Sequence, residues 1–72
     1  MFFDRELVEN LRKEYPKGTR VVLVSMDDDQ APPTGTKGTV RFVDDVCDIH
    51  ISWDNGSSLA AIYGIDVIRK DS

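Results

Sequence analysis

The chain has 72 residues, 40% of them hydrophobic and 31% charged, and a formal net charge of −4. This length allows one small domain over residues 1–72 and excludes two lobes around a cleft, while the composition excludes an intrinsically disordered chain. The acidic balance disfavours non-specific capture of phosphate backbones or anionic membranes. Without a leader pattern or a run of about 20 apolar residues, a cytoplasmic protein with no membrane partner is expected.

An amphipathic helix is predicted at the start of the chain, over residues 4–15. Its apolar residues recur at three- and four-residue spacing on one stripe, namely Leu7, Val8, Leu11 and Tyr15. Asp4 suits the N-cap, Phe3 is placed to pack on Val8 as a hydrophobic staple, and the stretch 16–18 ends the helix. Because so short a helix is marginal alone, its apolar stripe must dock on the rest of the domain.

Five short strands rich in β-branched and aromatic residues follow the helix. They are predicted at residues 20–25, 39–43, 48–53, 58–61 and 66–69. Strict alternation of apolar and polar residues in the third strand predicts one buried and one wet face. Hairpin turns are predicted at 44–47 and 54–57, the second from its Asn-Gly pair, and a single helical turn is predicted at 62–65.

These elements predict a mainly β fold, a small five-stranded SH3-like barrel over residues 18–70 preceded by one N-terminal α-helix. Strands confined to about 50 residues are too few for a two-sheet sandwich of immunoglobulin size. An oligonucleotide-binding-type barrel is the alternative, although its strands usually need more residues. Residues 26–35 form the long loop, and long loops on rigid barrels are where binding chemistry tends to sit.

The stretch from about Gly18 to Ile68 carries a fairly specific combination of short motifs. These are Gly18-Thr19-Arg20-Val21, Asp27-Asp28, Pro32-Pro33, Gly35-Thr36-Lys37-Gly38-Thr39-Val40, Asp44-Asp45 and Trp53-Asp54-Asn55-Gly56-Ser57. In these motifs the chain resembles a bacterial and phage family, domain of unknown function 4314. The resemblance implies a small β-rich domain that occurs in bacterial genomes, phages and mobile elements, and it implies no activity.

The turn over residues 35–40 is also similar to the Gly-x-x-Gly-x-Val turn that precedes the second strand in SH3-like barrels of the ribosomal and transcription-factor type. Such modules bind nucleic acid or protein. They usually carry basic residues around the loop where this chain has Asp27, Asp28 and Asp29. This departure disfavours binding of nucleic acid.

Residue types that support catalysis or metal binding are few. The carboxylates of 27–29 are ligands that Mg²⁺ and Ca²⁺ prefer, but adjacent loop side chains point in different directions and the calcium-loop pattern is absent, so no metal site is expected. Cys47 and His50 are the only thiol and imidazole. Because a nucleophile pair needs an orienting third group and a dry pocket, we interpret Cys47 as a small turn or core residue and His50 as an exposed side chain. No catalytic residue, enzyme activity or cofactor is expected.

The predicted binding surface combines the long loop with two aromatic residues, and it consists of Met26, Pro32, Pro33, Trp53 and Tyr63. Trp53 has two interpretations. If the barrel places the long loop beside the Asn55-Gly56 turn, Trp53 presents an aromatic platform for a proline-rich peptide or a stacked base. The alternation of its strand instead places Trp53 in the core, and this interpretation is favoured.

The predicted function is therefore a non-enzymatic interaction module, an accessory protein of a bacterium, phage or mobile element that binds a protein partner. Formation of a homodimer would help to stabilise so small a core. The alternative is a nucleic-acid-binding SH3-like domain that uses Arg20, Lys37 and Arg41 together with the helix cations. That alternative predicts an affinity that falls steeply with salt concentration.

Overall fold

The computed structural model describes residues 4–71. Its elements are helix α1 (Arg5–Glu14) and strands β1 (Arg20–Ser25), β2 (Lys37–Val43), β3 (Asp48–Trp53), β4 (Ala61–Ile62) and β5 (Val67–Lys70). The strands form one antiparallel sheet in the order β4-β3-β2-β1-β5. The predicted mainly β fold with an N-terminal helix is confirmed. Within residues 4–71 the sheet is open, because β4 and β5 are its two edges and do not pair with each other.

Helix α1 begins and ends as its sequence predicts. The Asp4 carboxylate accepts a hydrogen bond of 2.8 Å from the Glu6 amide, and Tyr15 at the C-cap donates its amide to the Leu11 carbonyl over 2.8 Å. Val8 and Leu11 are the buried residues of the helix. The predicted staple through Phe3 lies outside the described residues. The apolar stripe of α1 thus docks on the sheet.

The strands whose own residues alternate or are rich in β-branched side chains lie where the sequence predicts them. β1 and β3 have the predicted bounds, and β2 begins two residues earlier than predicted, at Lys37. The strand predicted at 58–61 is wrong in its placement, because the Leu59 carbonyl accepts a hydrogen bond from the Trp53 indole and only Ala61–Ile62 pair with β3. The helical turn predicted at 62–65 is confirmed by hydrogen bonds from the Ile65 and Asp66 amides to the Ile62 carbonyl.

The core lies between α1 and one face of the sheet. Its buried apolar side chains come from the helix and four strands and from the β2–β3 turn, namely Val8, Leu11, Val21, Leu23, Val40, Val43, Cys47, Ile49, Ile51, Trp53 and Ala61. Trp53 is 3% exposed and its Nε1 donates to the Leu59 carbonyl over 2.9 Å. The core interpretation of Trp53 is confirmed, and the alternative of an aromatic platform is wrong.

Candidate binding groove

A groove opens at the place where the two edges of the sheet leave the core uncovered. Its volume is about 390 Å³, which falls within the range of roughly 300–1,000 Å³ typical of binding clefts. The end of α1, β3, both edge strands and the turn between them line it, through Leu11, Tyr15, Ile49, Ala61, Ile62, Tyr63, Gly64, Ile65, Asp66, Val67 and Ile68. We call this feature the edge groove.

Large hydrophobic side chains stand exposed along the rim of the edge groove. Ile62, Tyr63, Ile65 and Val67 have exposed fractions of 43%, 52%, 57% and 49%. All four belong to residues 62–67, the segment that leaves β4 and enters β5, so they are neighbours in space as well as in sequence. Single exposed hydrophobic residues are ordinary, whereas a contiguous group marks an interaction surface.

Asp66 fixes the conformation of this segment. Its Oδ2 accepts a hydrogen bond of 2.8 Å from the Ile62 amide, and its Oδ1 accepts one of 2.9 Å from the Asp27 amide. The first bond closes the turn on itself, and the second ties the start of the long loop to the rim of the groove. The exposed hydrophobic side chains are therefore held outward by a hydrogen-bonded turn.

Asp66 lines the edge groove, and four more carboxylates lie near it in space or along the chain. We call Asp27, Asp28, Asp29, Asp48 and Asp66 the acidic rim, because the first three are exposed beside the Asp66 contact and Asp48 faces Ile62 in the β3–β4 register. Burial raises the pKa of Asp48, and the nearby negative charges of Asp44 and Asp66 raise it further. At the opposite end, Lys70 Nζ lies 3.5 Å from Glu14 Oε1.

The structure separates the residues predicted to form the binding surface. Tyr63 lies on the edge groove, Pro33 is exposed on the long loop, and Pro32 is buried. Met26 is half-buried and packs against the core, to which Trp53 belongs. Ile62, Ile65 and Val67 were not predicted. The sequence does carry a sign of them, because the turn at residues 62–65 consists almost entirely of apolar residues. A short turn at the surface cannot bury that many apolar side chains.

The only thiol and imidazole do not form a nucleophile pair. Cys47 is 2% exposed, within the core, and burial raises the pKa of its thiol. His50 lies on the outer face of β3, where it stacks on Phe42 with ring centroids 4.3 Å apart. The prediction of an exposed His50 is wrong, because the ring is half-buried by Phe42 and its Nε2 is 2.7 Å from Asp44 Oδ2. Within residues 4–71 no three His, Cys, Asp or Glu side chains are arranged to hold a metal ion.

The three strand cations proposed for nucleic-acid binding lie outside the lining of the edge groove, and two of them are ion-paired. Arg20 forms a two-point contact with Asp54, with N to O distances of 2.9 and 2.6 Å. The hydrogen bond from Arg20 lowers the pKa of Asp54. Lys37 Nζ lies 3.3 Å from Asp71 Oδ2, and Arg41 lies over the Phe42 ring.

Fold and site together define a small, mainly β domain with an N-terminal helix and an exposed apolar groove. Residues 4–71 match the family model described as domain of unknown function (DUF4314), so the chain belongs to this family, as its motifs indicate. No curated protein and no solved structure matches the chain. In the part of the chain that the structure describes, no helix has the length and apolar character needed to cross a membrane.

Proposed function

We propose that the protein is a non-enzymatic interaction module that binds a protein partner through the edge groove. The observation that carries the proposal is the set of four exposed hydrophobic side chains over residues 62–67 beside an open cleft. When a partner covers such apolar surface, its removal from water contributes about 25 cal/mol to the free energy of binding for each Å² buried. The accessory role in a bacterium, phage or mobile element rests on the family and stays a prediction.

The same groove supports a more specific description of the fold as an SH3-like barrel left open at one seam. In the order β4-β3-β2-β1-β5, a pairing of β4 with β5 is all that a closed ring of these five strands would still need. The edge groove lies at this missing pairing, lined by residues of both edge strands. In this proposal, the missing pairing between β4 and β5 both leaves the sheet open and creates the binding site.

Nucleic-acid binding is less well supported than protein binding. Arg20 and Lys37 are already paired with Asp54 and Asp71, so contact with a phosphate would have to replace an existing carboxylate. The net charge of −4 also opposes the approach of a polyanion.

A matched pair of variants tests the proposed function. Val67 lines the groove and is 49% exposed, whereas Val46 on the β2–β3 turn is 47% exposed and lies outside the groove lining. Because burial of a valine contributes roughly 1.5–3 kcal/mol, Val67→Ser should weaken binding at a covered groove about tenfold. Val46→Ser should leave that binding unchanged.

The measurement is capture from a lysate of the organism that encodes the chain, with the wild type and both variants immobilised in parallel. We expect a protein that the wild type and Val46→Ser retain, that Val67→Ser retains much less, and that nuclease treatment does not release. Equal retention by the two variants would contradict the groove as binding site. Release by nuclease would favour the nucleic-acid alternative.

A further inference from the structure

Strand β5 is an edge of the sheet, and it runs along the edge groove. The Asp71 amide donates to the Arg20 carbonyl over 2.9 Å, and hydrogen-bonded pairs alternate along an antiparallel ladder, so Arg69 and Val22 form the next such pair. The N–H and C=O groups of Ile68 and Lys70 therefore point away from β1. Among the strands of residues 4–71, none pairs with β5 on that side. Such an edge is a template for one more strand.

The other edge of the sheet does not offer the same template. Strand β4 has only two residues, and the outward amide of Ile62 is bonded to Asp66 Oδ2. A carboxylate therefore occupies the donor that an added strand would need. This difference makes β5 the edge at which pairing can occur.

The apolar part of the groove lies beside that edge. Val67 and Ile68 of β5 line it together with Ile65 and with Tyr15, the C-cap residue of α1. In an extended segment, alternate side chains point to the same face. A strand paired with β5 would thus direct every second side chain into the groove and the remaining ones toward its rim.

The charges around the groove favour one sign of charge on the partner segment. The acidic rim follows the long loop and β4. On β5 itself, Lys70 is already paired with Glu14, and Arg69 is exposed opposite Val22 of β1. On the side of the acidic rim, a segment with acidic side chains would meet like charges. A segment with Lys or Arg at alternate positions would meet complementary ones.

We infer that the partner of this protein presents an extended cationic segment, in which basic and apolar residues alternate, and that this segment adds as a strand to β5 and lays its apolar side chains in the edge groove. This inference rests on the proposed function. It specifies the chemistry of the partner and its mode of binding, and each can fail separately.

The probe is a capped synthetic peptide in which Lys or Arg alternates with Val or Ile, titrated into the isotope-labelled full chain and followed by amide chemical shifts. One control peptide replaces each cation with Glu, and another has the same composition with cations and apolar residues in separate blocks. We expect shifts at Ile68, Lys70 and residues 62–67, with at least about tenfold weaker binding of both controls. Binding should also weaken as salt is added.

Ile68→Pro removes an outward N–H without touching a hydrogen bond to β1, and proline is tolerated on such an edge. We expect Ile68→Pro and Val67→Ser to lose the peptide and Val46→Ser to keep it. If Ile68→Pro does not fold, strand addition is tested instead by amide hydrogen exchange of the wild type. Saturating peptide should then slow exchange of the Ile68 and Lys70 amides in the wild type, and unchanged exchange would overturn strand addition.

The remaining outcomes separate the inference from the proposed function. Shifts in the groove that persist with a folded Ile68→Pro would overturn strand addition while leaving a protein-binding groove intact. Equal binding of the Glu peptide would overturn the cationic class. Shifts of the same amides on raising the protein concentration alone would make a second copy of the chain the occupant. An alternating peptide that shifts nothing overturns the inference, and the lysate experiment then decides the proposed function.

Discussion

Gly38 shows how one residue governs the packing of the sheet. It faces Trp53 in the β2–β3 register, and a Cβ atom built on it would lie 2.8 Å from Trp53 Cε3 and 2.6 Å from Ile51 Cγ2. Real side chains do not approach so closely. The glycine, which lies within β2, therefore lets the backbone of this strand cross directly over the buried indole.

Gly38→Ala should lower the free energy of unfolding by about 1–3 kcal/mol, because the methyl group must displace the indole or the β2 backbone. Urea denaturation measures the loss, and iodide quenching of Trp53 fluorescence reports whether the indole has moved. We expect quenching to rise only in this variant. Gly64→Ala is the control, since Gly64 has φ of +86° with open space around it, so an alanine there adds local strain alone. Unchanged stability and quenching in Gly38→Ala would show that the core has room at this position.

At the scale of the element, Asp44 organises the β2–β3 hairpin. Its Oδ1 accepts hydrogen bonds from the Val46 and Asp48 amides over 3.0 and 2.9 Å, and its Oδ2 lies 2.7 Å from His50 Nε2. Burial alone would raise the pKa of Asp44, but the hydrogen bonds from His50 and from these two amides lower it below its ordinary value. The hairpin is thus held by an ionised carboxylate.

The direction of this shift predicts a dependence on pH. A carboxyl group whose pKa is lowered by folding stabilises the protein above its ordinary pKa of about 3.9, and this contribution is lost as the pH falls through the lower folded value. Asp44→Asn should therefore be less stable than the wild type by about 1–2 kcal/mol at pH 7, with the gap narrowing below about pH 4. Urea denaturation at several pH values measures it.

Asp48 provides the control of opposite sign on the same hairpin. Because burial first, and then the charge of Asp44, raises the pKa of Asp48, ionisation of this group opposes folding. Asp48→Asn should then be at least as stable as the wild type at pH 7. A gap between wild type and Asp44→Asn that stays constant down to pH 2 would contradict an electrostatic role for Asp44.

Helices and strands whose own residues carry the pattern could be predicted from the sequence. Those that form only because residues far away in the chain pair with them could not. β3 follows from its alternation, and α1 from Asp4 and its apolar stripe. β4 was misplaced because its two residues are a strand only through Asp48 and Ile49 opposite them. Motifs over much of the chain were enough to identify the family. Of the predicted site only Tyr63 lies on the groove, because the meeting of two sheet edges is a property of the tertiary fold.

At the scale of the whole molecule, helix and sheet share one core. Val8 and Leu11 of α1 belong to the same buried cluster as Trp53 of β3, and Arg12 Nε donates to the Val43 carbonyl over 3.0 Å. In a chain of 72 residues the conformational entropy lost on folding nearly cancels the free energy gained from apolar burial. Neither the helix nor the sheet is therefore expected to be stable without the other. The helix and the sheet should therefore unfold together.

Leu11→Ala tests this coupling. Leu11 is 7% exposed, so its truncation should lower the free energy of unfolding by about 2–5 kcal/mol. Because both elements depend on one core, the urea midpoints measured by helical circular dichroism and by Trp53 fluorescence should coincide in the wild type and move together in the variant. Asn10→Ala, at an exposed helix position, should leave both midpoints nearly unchanged. If the helical signal were lost at lower urea than the Trp53 signal, α1 would be an appendage to a sheet that is stable alone, and the edge groove would lose its helical wall before the domain unfolds.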